Sequence, residues 1–350
     1  MTVFVVDPLA DARWDELALR HRRASVFHTC GWLSALQKTF GYSPVAFSGS
    51  APGGPLENGL LFCEVKSWIT GRRLVSLPFS DHCDPLFNSP AEQARILAHV
   101  REHFGRKRCK YVEVRPLSIA EPEVLVAMDL RASEKFYLHM LSLDPPLEAL
   151  FRGLHRDCIQ RKVRRAEKEK LAYEVGRSDS LLRKFYRLQV RTRRRHGLPP
   201  QPLRWFRQLI ASMGDRLSIR VASKDDHPVA AILTLSFKDT VTYKYGCSDE
   251  RFTRFGGTPF LFWQTIREAK DQGMRQLDLG RSEPDDAGLV KFKDRLGARR
   301  MDLTYYRLAS GAAPKMALNS RRTQFLKRCA RHLPNVVLVI AGRLLSRHTG

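Results

Sequence analysis

The stretch from Tyr245 to Trp263 holds the residues best spaced for chemistry, and it reads Tyr-Gly-Cys-Ser-Asp-Glu-Arg-Phe-Thr-Arg-Phe-Gly-Gly-Thr-Pro-Phe-Leu-Phe-Trp. Gly256 and Gly257 precede a helix-like run, with Thr258 at the expected N-cap and Pro259 at the first helical position. Two glycines ahead of a helix let backbone N–H groups approach an anion closely, and the helix dipole favours negative charge there. Arg251 and Arg254 supply charge-assisted contacts to the same anion. The chemistry this predicts is capture of a phosphate-bearing molecule. The glycine spacing fits neither a Walker loop nor a G-x-G-x-x-G fingerprint, and an ordinary glycine turn is the competing reading.

A second polar cluster follows the strand-like Gln276–Leu279: Asp278, Arg281, Glu283, Lys291 and Lys293. Charged residues at the carboxyl end of a buried strand sit where α/β proteins place ligands. Lys291 and Lys293 are two apart in an expected helix, so they face different ways and at most one is central. Solvated loop and helix is the alternative. A third cluster, Ser80-Asp81-His82-Cys83-Asp84, follows a strand in the first half, and Asp81, His82 and Asp84 are expected to line an acceptor cleft with Trp32. One His with two Asp is too little for a metal site, and no G-x-S-x-G elbow is present for a Ser/His/Asp triad.

These groups need a frame, and the apolar periodicity supplies one. Strands are expected at Val3–Val6, Gly59–Val65, Arg73–Leu77, Tyr111–Arg115 and Phe136–Leu143, with helices over 11–23, over 28–40 closed by Gly41, and from Ser89-Pro90 to Phe104. Asp144-Pro-Pro reads as a boundary. Beyond it the pattern predicts one long basic helix over 147–170, helices at 181–196 and 203–213, three strands over 217–222, 229–236 and 240–246, a helix over 259–272, a strand at 276–279, a helix over 287–296 and a last strand at 302–308. Both halves share this mixed α/β rhythm without a residue-level repeat, which predicts two domains of related architecture: 1–145, 146–310, and a basic tail over 311–350.

Composition narrows the function classes. The 350 residues carry 60 Lys+Arg against 36 Asp+Glu, a formal net charge of +24, with 43% hydrophobic residues, which excludes a disordered or collagen-like chain. The whole excess lies in 151–350, chiefly in 151–200 (net +11) and 301–350 (net +8). Focused charge favours a docking surface for phosphate, nucleic acid or anionic lipid over uniform coating of a polyanion. The seven scattered cysteines form no C-x-x-C pair, so neither a zinc site nor a disulfide framework is expected, and a cytoplasmic protein fits. The N-terminus lacks the marks of a signal peptide, and the best apolar run, Val336–Leu345, is interrupted by Gly342 and Arg343.

Several segments together resemble the FemAB/BioF-like acyltransferases, most closely the FemAB-like proteins associated with exosortase/PEP-CTERM and exopolysaccharide systems. They are the basic run from His155 to Leu171, Tyr245–Glu250, Leu277-Asp-Leu-Gly, Leu289-Val-Lys-Phe-Lys-Asp-Arg-Leu-Gly, Phe27-His-Thr-Cys-Gly-Trp and the stretch from Leu77 to Leu86. The resemblance covers roughly 25–308 and rests on the order and spacing of these segments. It implies an α/β chain with mixed sheets: two tandem GNAT-like domains, the first on the acceptor side and the second on the donor side. The Arg/Gly loop and helix then look like a degenerate form of the site where a GNAT fold holds the coenzyme A pyrophosphate. The resemblance implies no tightly bound cofactor, acyl-CoA or aminoacyl-tRNA as co-substrate, and as acceptor an amine of a cell-envelope glycan or peptidoglycan-type precursor. The long coiled-coil arm of peptidoglycan-type members is missing, since Gly197 and Pro199-Pro200 break the helices of 181–213, and this departure weighs against a tRNA donor.

GNAT-type chemistry brings an amine against an activated acyl carbon, and it needs positioning, an oxyanion contact and a route for the amine proton. Asp249, Glu283 and Asp278 are the candidate bases, with Asp278 expected to be structural at a strand end; Tyr245 or Tyr305 is the candidate acid. Arg161, Arg281, Lys291 and Lys293 are expected on the substrate side. The rival reading is a non-catalytic nucleic-acid-binding protein that uses the basic helix over 156–170. Its weakness is the lack of interleaved aromatics, and its signature is salt-sensitive binding to unrelated duplex DNA. In the tail, Arg321, Arg322, Lys327, Arg328 and Arg331 alternate with apolar residues ahead of Val336–Leu345, which predicts peripheral contact with the anionic inner membrane; packing against the protein's own surface is the alternative.

Overall fold

A computed structural model describes residues 2–106, 109–117, 129–309 and 328–348. The described chain divides into two units: 2–136 with 303–309 and 344–348, and 137–302 with 328–343. Arg321, Arg322 and Lys327 of the expected tail lie outside the described residues.

In the first unit, helix α1 (Arg13–Arg20) buries Trp14, Leu17 and Ala18, the three positions that the helical spacing marks. Helix α2 (Cys30–Phe40) starts where the Thr29 side chain accepts the Trp32 N–H at 3.3 Å and stops at Gly41, whose φ of 71° is the left-handed conformation glycine adopts freely. Helix α3 (Pro90–Arg106) begins with Glu92 N–H donating to Ser89 Oγ at 3.3 Å. Strands β1 (Phe4–Val6), β2 (Ser43–Ser48), β3 (Leu60–Ser67) and β4 (Gly71–Val75) run antiparallel. The chain then crosses through α3 to β5 (Tyr111–Val114), parallel to β4. The core lies where Ile96, Val100 and Phe104 of α3 pack with Phe47, Phe62 and Val112 of the strands. The sixth strand is the end of β12 (Arg299–Ala309), antiparallel to β5 with Tyr306 opposite Val114.

The second unit repeats the plan. Strands β7 (Ala172–Gly176), β8 (Leu217–Lys224), β9 (His227–Phe237) and β10 (Thr240–Ser248) form the antiparallel run. Helix α8 (Gly257–Asp271) carries the chain to β11 (Gln276–Ser282), parallel to β10, and β6 (Arg131–Ser142) closes the order antiparallel to β11. Each unit therefore takes its last strand from a segment distant in sequence. The other helices are α4 (Leu147–Gly153), α5 (Arg161–Lys168), α6 (Asp179–Arg195), α7 (Leu203–Met213), α9 (Ala287–Asp294) and α10 (Asn335–Leu345). The architecture is the mixed α/β class that the element rhythm predicts.

The long basic helix expected over 147–170 is not continuous. The chain leaves helix at Leu154, the His155 side chain caps the Cys158 N–H at 3.3 Å, a π-helical turn spans Arg156–Gln160, and only then does α5 begin. Gln160 Nε2 donates to Leu154 O at 2.7 Å and satisfies a carbonyl that a straight helix would have used. The detour lets Ile159, Val163 and Ala166 enter the core beside α8 while the cations stay outside.

His28 is fully buried in the first unit, its Nδ1 accepting Ser25 N–H at 3.0 Å and its Nε2 2.9 Å from Asp84 O. Burial lowers its pKa to about 4, with the nearby His82 and His21 adding to the effect. The unfolded chain, with a histidine near its ordinary value of about 6.5, binds more protons between these two values. Stability therefore falls as pH drops from about 6.5 towards 4, by up to roughly 3 kcal/mol. Urea unfolding at pH 7 and pH 4.5 measures it, and His28→Gln flattens the slope; an unchanged slope in that variant contradicts the assignment.

Candidate functional site

The site starts from how two strands of the second unit part. β10 and β11 pair only at Thr240, Val241 and Thr242 with Gln276, Leu277 and Asp278. Beyond that, β10 carries an irregularity between Tyr243 and Tyr245, and β11 is irregular against β6 between Asp278 and Arg281. The pairing of the two facing edges thus ends at Thr242 and Asp278. A gap between parallel strands is a slot for an extended ligand that bonds to main chain.

Asp278 and Lys293 hold the β11 side open. Asp278, 2% exposed, accepts Gly280 N–H at 2.7 Å, and Gly280 has a φ of 70°. Lys293, also 2% exposed, donates to Gly280 O at 2.8 Å and to Arg281 O at 2.9 Å. These bonds fall at the β11 irregularity between Asp278 and Arg281. Lys293 is thus tied to main chain rather than presented to a substrate, which corrects the expectation for it, and Lys291 is exposed on another face of α9. Glu283 is exposed just past β11, and Arg281 is half-buried.

After β10 and a 3-10 turn over Glu250–Phe255, α8 begins one residue before Thr258. The N-cap is Gly256, with a φ of 74°, and the helix starts at Gly257, so Thr258 and Pro259 lie inside the first turn and Thr258 is not the cap. A Cβ on Gly256 would strike the backbone of Lys162, and one on Gly257 would crowd Val229 Cγ2 at 3.0 Å and Ala230 Cβ at 3.1 Å. The glycine pair is needed for close packing as well as for conformation. Gly257 and Thr258 head the helix with N–H groups that point out of its start, and Thr258 is half-buried. Arg254 is exposed, its guanidinium 4.9 Å from the Phe255 ring centre.

Asp249 does not serve as a base. It is 3% exposed and caps the 3-10 turn Glu250–Phe255 through the Arg251 N–H at 3.2 Å. Arg251 also donates to it through Nε at 3.0 Å and Nη2 at 2.7 Å, Arg191 pairs with it, and His227 Nε2 lies 3.5 Å away. The Arg251 hydrogen bonds hold this carboxyl far below the usual carboxylate range against the opposing effect of burial, with Arg191 lowering it further. A group so reluctant to take a proton anchors the loop instead. Arg251 is correspondingly committed to Asp249.

Tyr245 follows the β10 irregularity and is half-buried. Its hydroxyl oxygen accepts from Trp205 Nε1 at 2.9 Å. The ring lies edge-on to Phe206 at 5.2 Å, and the Lys244 ammonium sits 5.6 Å from its centre. Arg193, in the last turn of α6, interacts electrostatically with Tyr245 and donates through Nε to Pro199 O at 3.2 Å; burial lowers its pKa from the ordinary guanidinium value. Trp205, Arg193 and Lys244 beside Tyr245, and Lys162 beside Gly256, are neighbours that the sequence reading did not assign to the site. Arg161 is exposed and pairs with Asp157 at 3.2 Å. No group of three or more His, Cys, Asp or Glu among the described residues is arranged to hold a metal ion.

The polar cluster of the first unit is internal wiring, a correction to the expected acceptor cleft. Trp32 is fully buried, 5.0 Å edge-on from Phe27. His82 is 4% exposed and packs on the same Phe27 at 5.3 Å; Asp84 is 5% exposed and accepts Leu117 N–H at 2.5 Å. Asp81 is half-buried, and its carbonyl accepts the Tyr305 hydroxyl at 2.5 Å. Tyr305, fully buried, is thereby a core residue of this unit and not an acid. A loop this rich in polar side chains is buried because each bond replaces one to water.

Residues 154–294, which contain the slot and the α8 start, match the family described as Acetyltransferase (GNAT) domain. The fold of the chain is similar to the crystal structure of FemX, with a TM-score of 0.69 at 12% identity over 95% of this chain and 100% of that one. It is similar to a tandem GNAT protein from the clavulanic acid biosynthesis pathway, with a TM-score of 0.56 at 12% identity over 89% and 100%. It is also similar to the C-terminal domain (DUF2156) of an Agrobacterium fabrum protein described as a lysylphosphatidylglycerol synthetase, with a TM-score of 0.57 at 14% identity over 87% and 93%. No curated protein matches the sequence. The shared feature is architecture: two GNAT-like units in one chain.

Proposed function

We propose that this tandem GNAT-like protein is an N-acyltransferase. It moves an acyl or aminoacyl group from a phosphate-bearing donor to an amine of a cell-envelope glycan or peptidoglycan-type precursor, in the cytoplasm near the inner membrane face. The observation that carries the reading is the parting of β10 and β11 after Thr242 and Asp278, beside the open start of α8. The match of residues 154–294 to the acetyltransferase domain supports the same segment as the donor side. It also favours an acyl-CoA thioester over aminoacyl-tRNA, which would offer phosphates to the same cations.

In this reading the donor phosphates meet the N–H groups of Gly257 and Thr258, with Arg254 and Lys162 alongside. The acyl arm lies in the slot and bonds to the main chain of β10. The amine nitrogen attacks the acyl carbon, and the bond from that carbon to the donor's sulfur or oxygen breaks. The leaving atom keeps the electron pair and takes a proton from Tyr245, and the proton lost by the amine passes to water or to Glu283. Arg281, Lys291 and Arg161 hold the anionic parts of the acceptor. The purified protein, incubated with acyl-CoA thioesters and with amine-bearing glycan and peptide precursors, is expected to release free thiol and add the acyl mass to an amine product. Failure with every thioester, together with transfer from aminoacyl-tRNA, would replace the donor. Salt-sensitive DNA binding with no transfer from either donor would favour the nucleic-acid reading.

A further inference from the structure

Helix α10 is turned inside out relative to an ordinary surface helix. Leu338 is 1% exposed and Gly342 is buried against the backbone of Pro200, which leaves no room for a Cβ there. These two positions, one turn apart, form the face that packs. The opposite face presents Val336 (69% exposed), Val337 (43%), Ile340 (50%) and Leu344 (64%) to solvent, the inverse of the usual apolar-in arrangement. The helix is not a loose end. At its foot Tyr42 donates to Ser346 O at 3.3 Å, Arg73 donates to His348 O at 2.9 Å, and Ser67 Oγ meets His348 Nδ1 at 2.9 Å. His348 lies edge-on to Trp68 at 5.5 Å, and Trp68, in the β3–β4 turn, is 84% exposed with Ile69 beside it at 48%. Exposed apolar residues therefore run along α10 from Val336 to Leu345.

We propose that this feature docks onto an anionic phospholipid bilayer, with α10 lying in the plane of the interface. Charge selects the occupant. Residues 303–350 contain nine Lys and Arg and no Asp or Glu, and Arg343 and Arg347 are exposed among the apolar residues. Cations around an apolar stripe suit acidic lipid headgroups over acyl chains. A second copy of this chain, at a net charge of +24, would bring like charges together. No described helix is long and apolar enough to cross a membrane, so the contact is peripheral. Trp68 suits the headgroup level, where an amphipathic ring is favoured.

The test uses the full chain and vesicles of phosphatidylcholine with or without about a third phosphatidylglycerol, a content at which each basic residue near the surface adds attraction. Co-sedimentation is expected with the anionic vesicles, weakened tenfold or more by high salt and by the double variant Ile340→Ser/Leu344→Ser, whose side chains are exposed so that folding is kept. The other four tryptophans are at most 9% exposed, so a blue shift of emission on binding reports Trp68 and disappears in Trp68→Ser. Equal binding by the double variant, or no binding to anionic vesicles, overturns the proposal. Concentration-dependent dimerisation that the double variant abolishes, without vesicle binding, also overturns it in favour of a second copy. None of these readings depends on acyl transfer.

Discussion

Replacing Tyr245 by phenylalanine is expected to lower kcat for acyl transfer about 100-fold or more while leaving the donor KM within a few-fold, since a positioned acid contributes roughly 10²–10⁴ in rate. The variant keeps the ring and its edge contact with Phe206 at 5.2 Å. It removes the proton that can follow the leaving atom, and it removes the acceptor that Trp205 Nε1 uses at 2.9 Å. Losing that neutral bond costs about 1–2 kcal/mol of stability and can be read separately by thermal unfolding. The two effects divide the interpretations. If the hydroxyl serves only to hold Trp205, unfolding shifts while kcat changes less than about threefold, a difference too small for loss of a general acid. If it is the acid, kcat collapses, and a slower leaving group deepens the loss.

The largest stability effect is expected at Glu113. This residue of β5 is 1% exposed and takes both Arg115, at 2.7 Å, and Arg307, at 2.5 Å, which pairs in turn with Glu134 at 3.1 Å. Burial alone would raise its pKa, but the two guanidiniums hold it below the ordinary value. The stabilisation is therefore complete at neutral pH and is lost in acid as pH falls through the folded-state pKa. Glu113→Ala strips two largely buried guanidiniums of their counter-charge, and breaking a buried pair this way costs about 3–5 kcal/mol. Arg115 also donates to Leu77 O at 2.6 Å and Ser80 O at 3.1 Å, so the polar loop after β4 loosens with it. Urea unfolding followed by far-UV circular dichroism measures the loss. A change below about 1 kcal/mol would place the pair among surface bridges of little worth.

How much of this was legible depended on the range of the interactions. Gly41 and Ser89-Pro90 act within one or two turns of chain, and their types placed the end of α2 and the start of α3 closely. The Gly256-Gly257 pair placed the start of α8 within two residues, because left-handed backbone at a helix entry has few solutions. Lys291 and Lys293 diverge as their spacing requires. The errors come from partners far away in sequence. Asp249 looked like a free carboxylate because Arg251, two residues on, reads as an anion contact, and Arg191, 58 residues earlier, carries no local mark of its pairing. Tyr245 was visible, but Trp205, forty residues before it, was not. The cluster from Ser80 to Asp84 looked like a solvent-facing site because polarity alone does not distinguish a cleft from a satisfied interior. The break at His155 was missed although Gly153 ends α4, since the apolar stripe continues past it while the His155 cap and the Gln160 bond replace helical bonds. Strand β7 was missed because only Tyr173 and Val175 favour extension in a short edge segment.

The central claim is that the start of α8 receives the phosphates of the donor. A glutamate at Gly256 would test packing against Lys162 instead of binding. Thr258 is the better position: it is half-buried and lies in the first turn next to Gly257. Titration calorimetry of a coenzyme A thioester with the wild-type chain and with Thr258→Glu, at matched thermal stability, measures the claim directly. A carboxylate at that position satisfies the helix dipole and repels the phosphates, so affinity is expected to fall tenfold or more, about 1.4 kcal/mol or above. Binding of equal strength in both proteins would contradict the account.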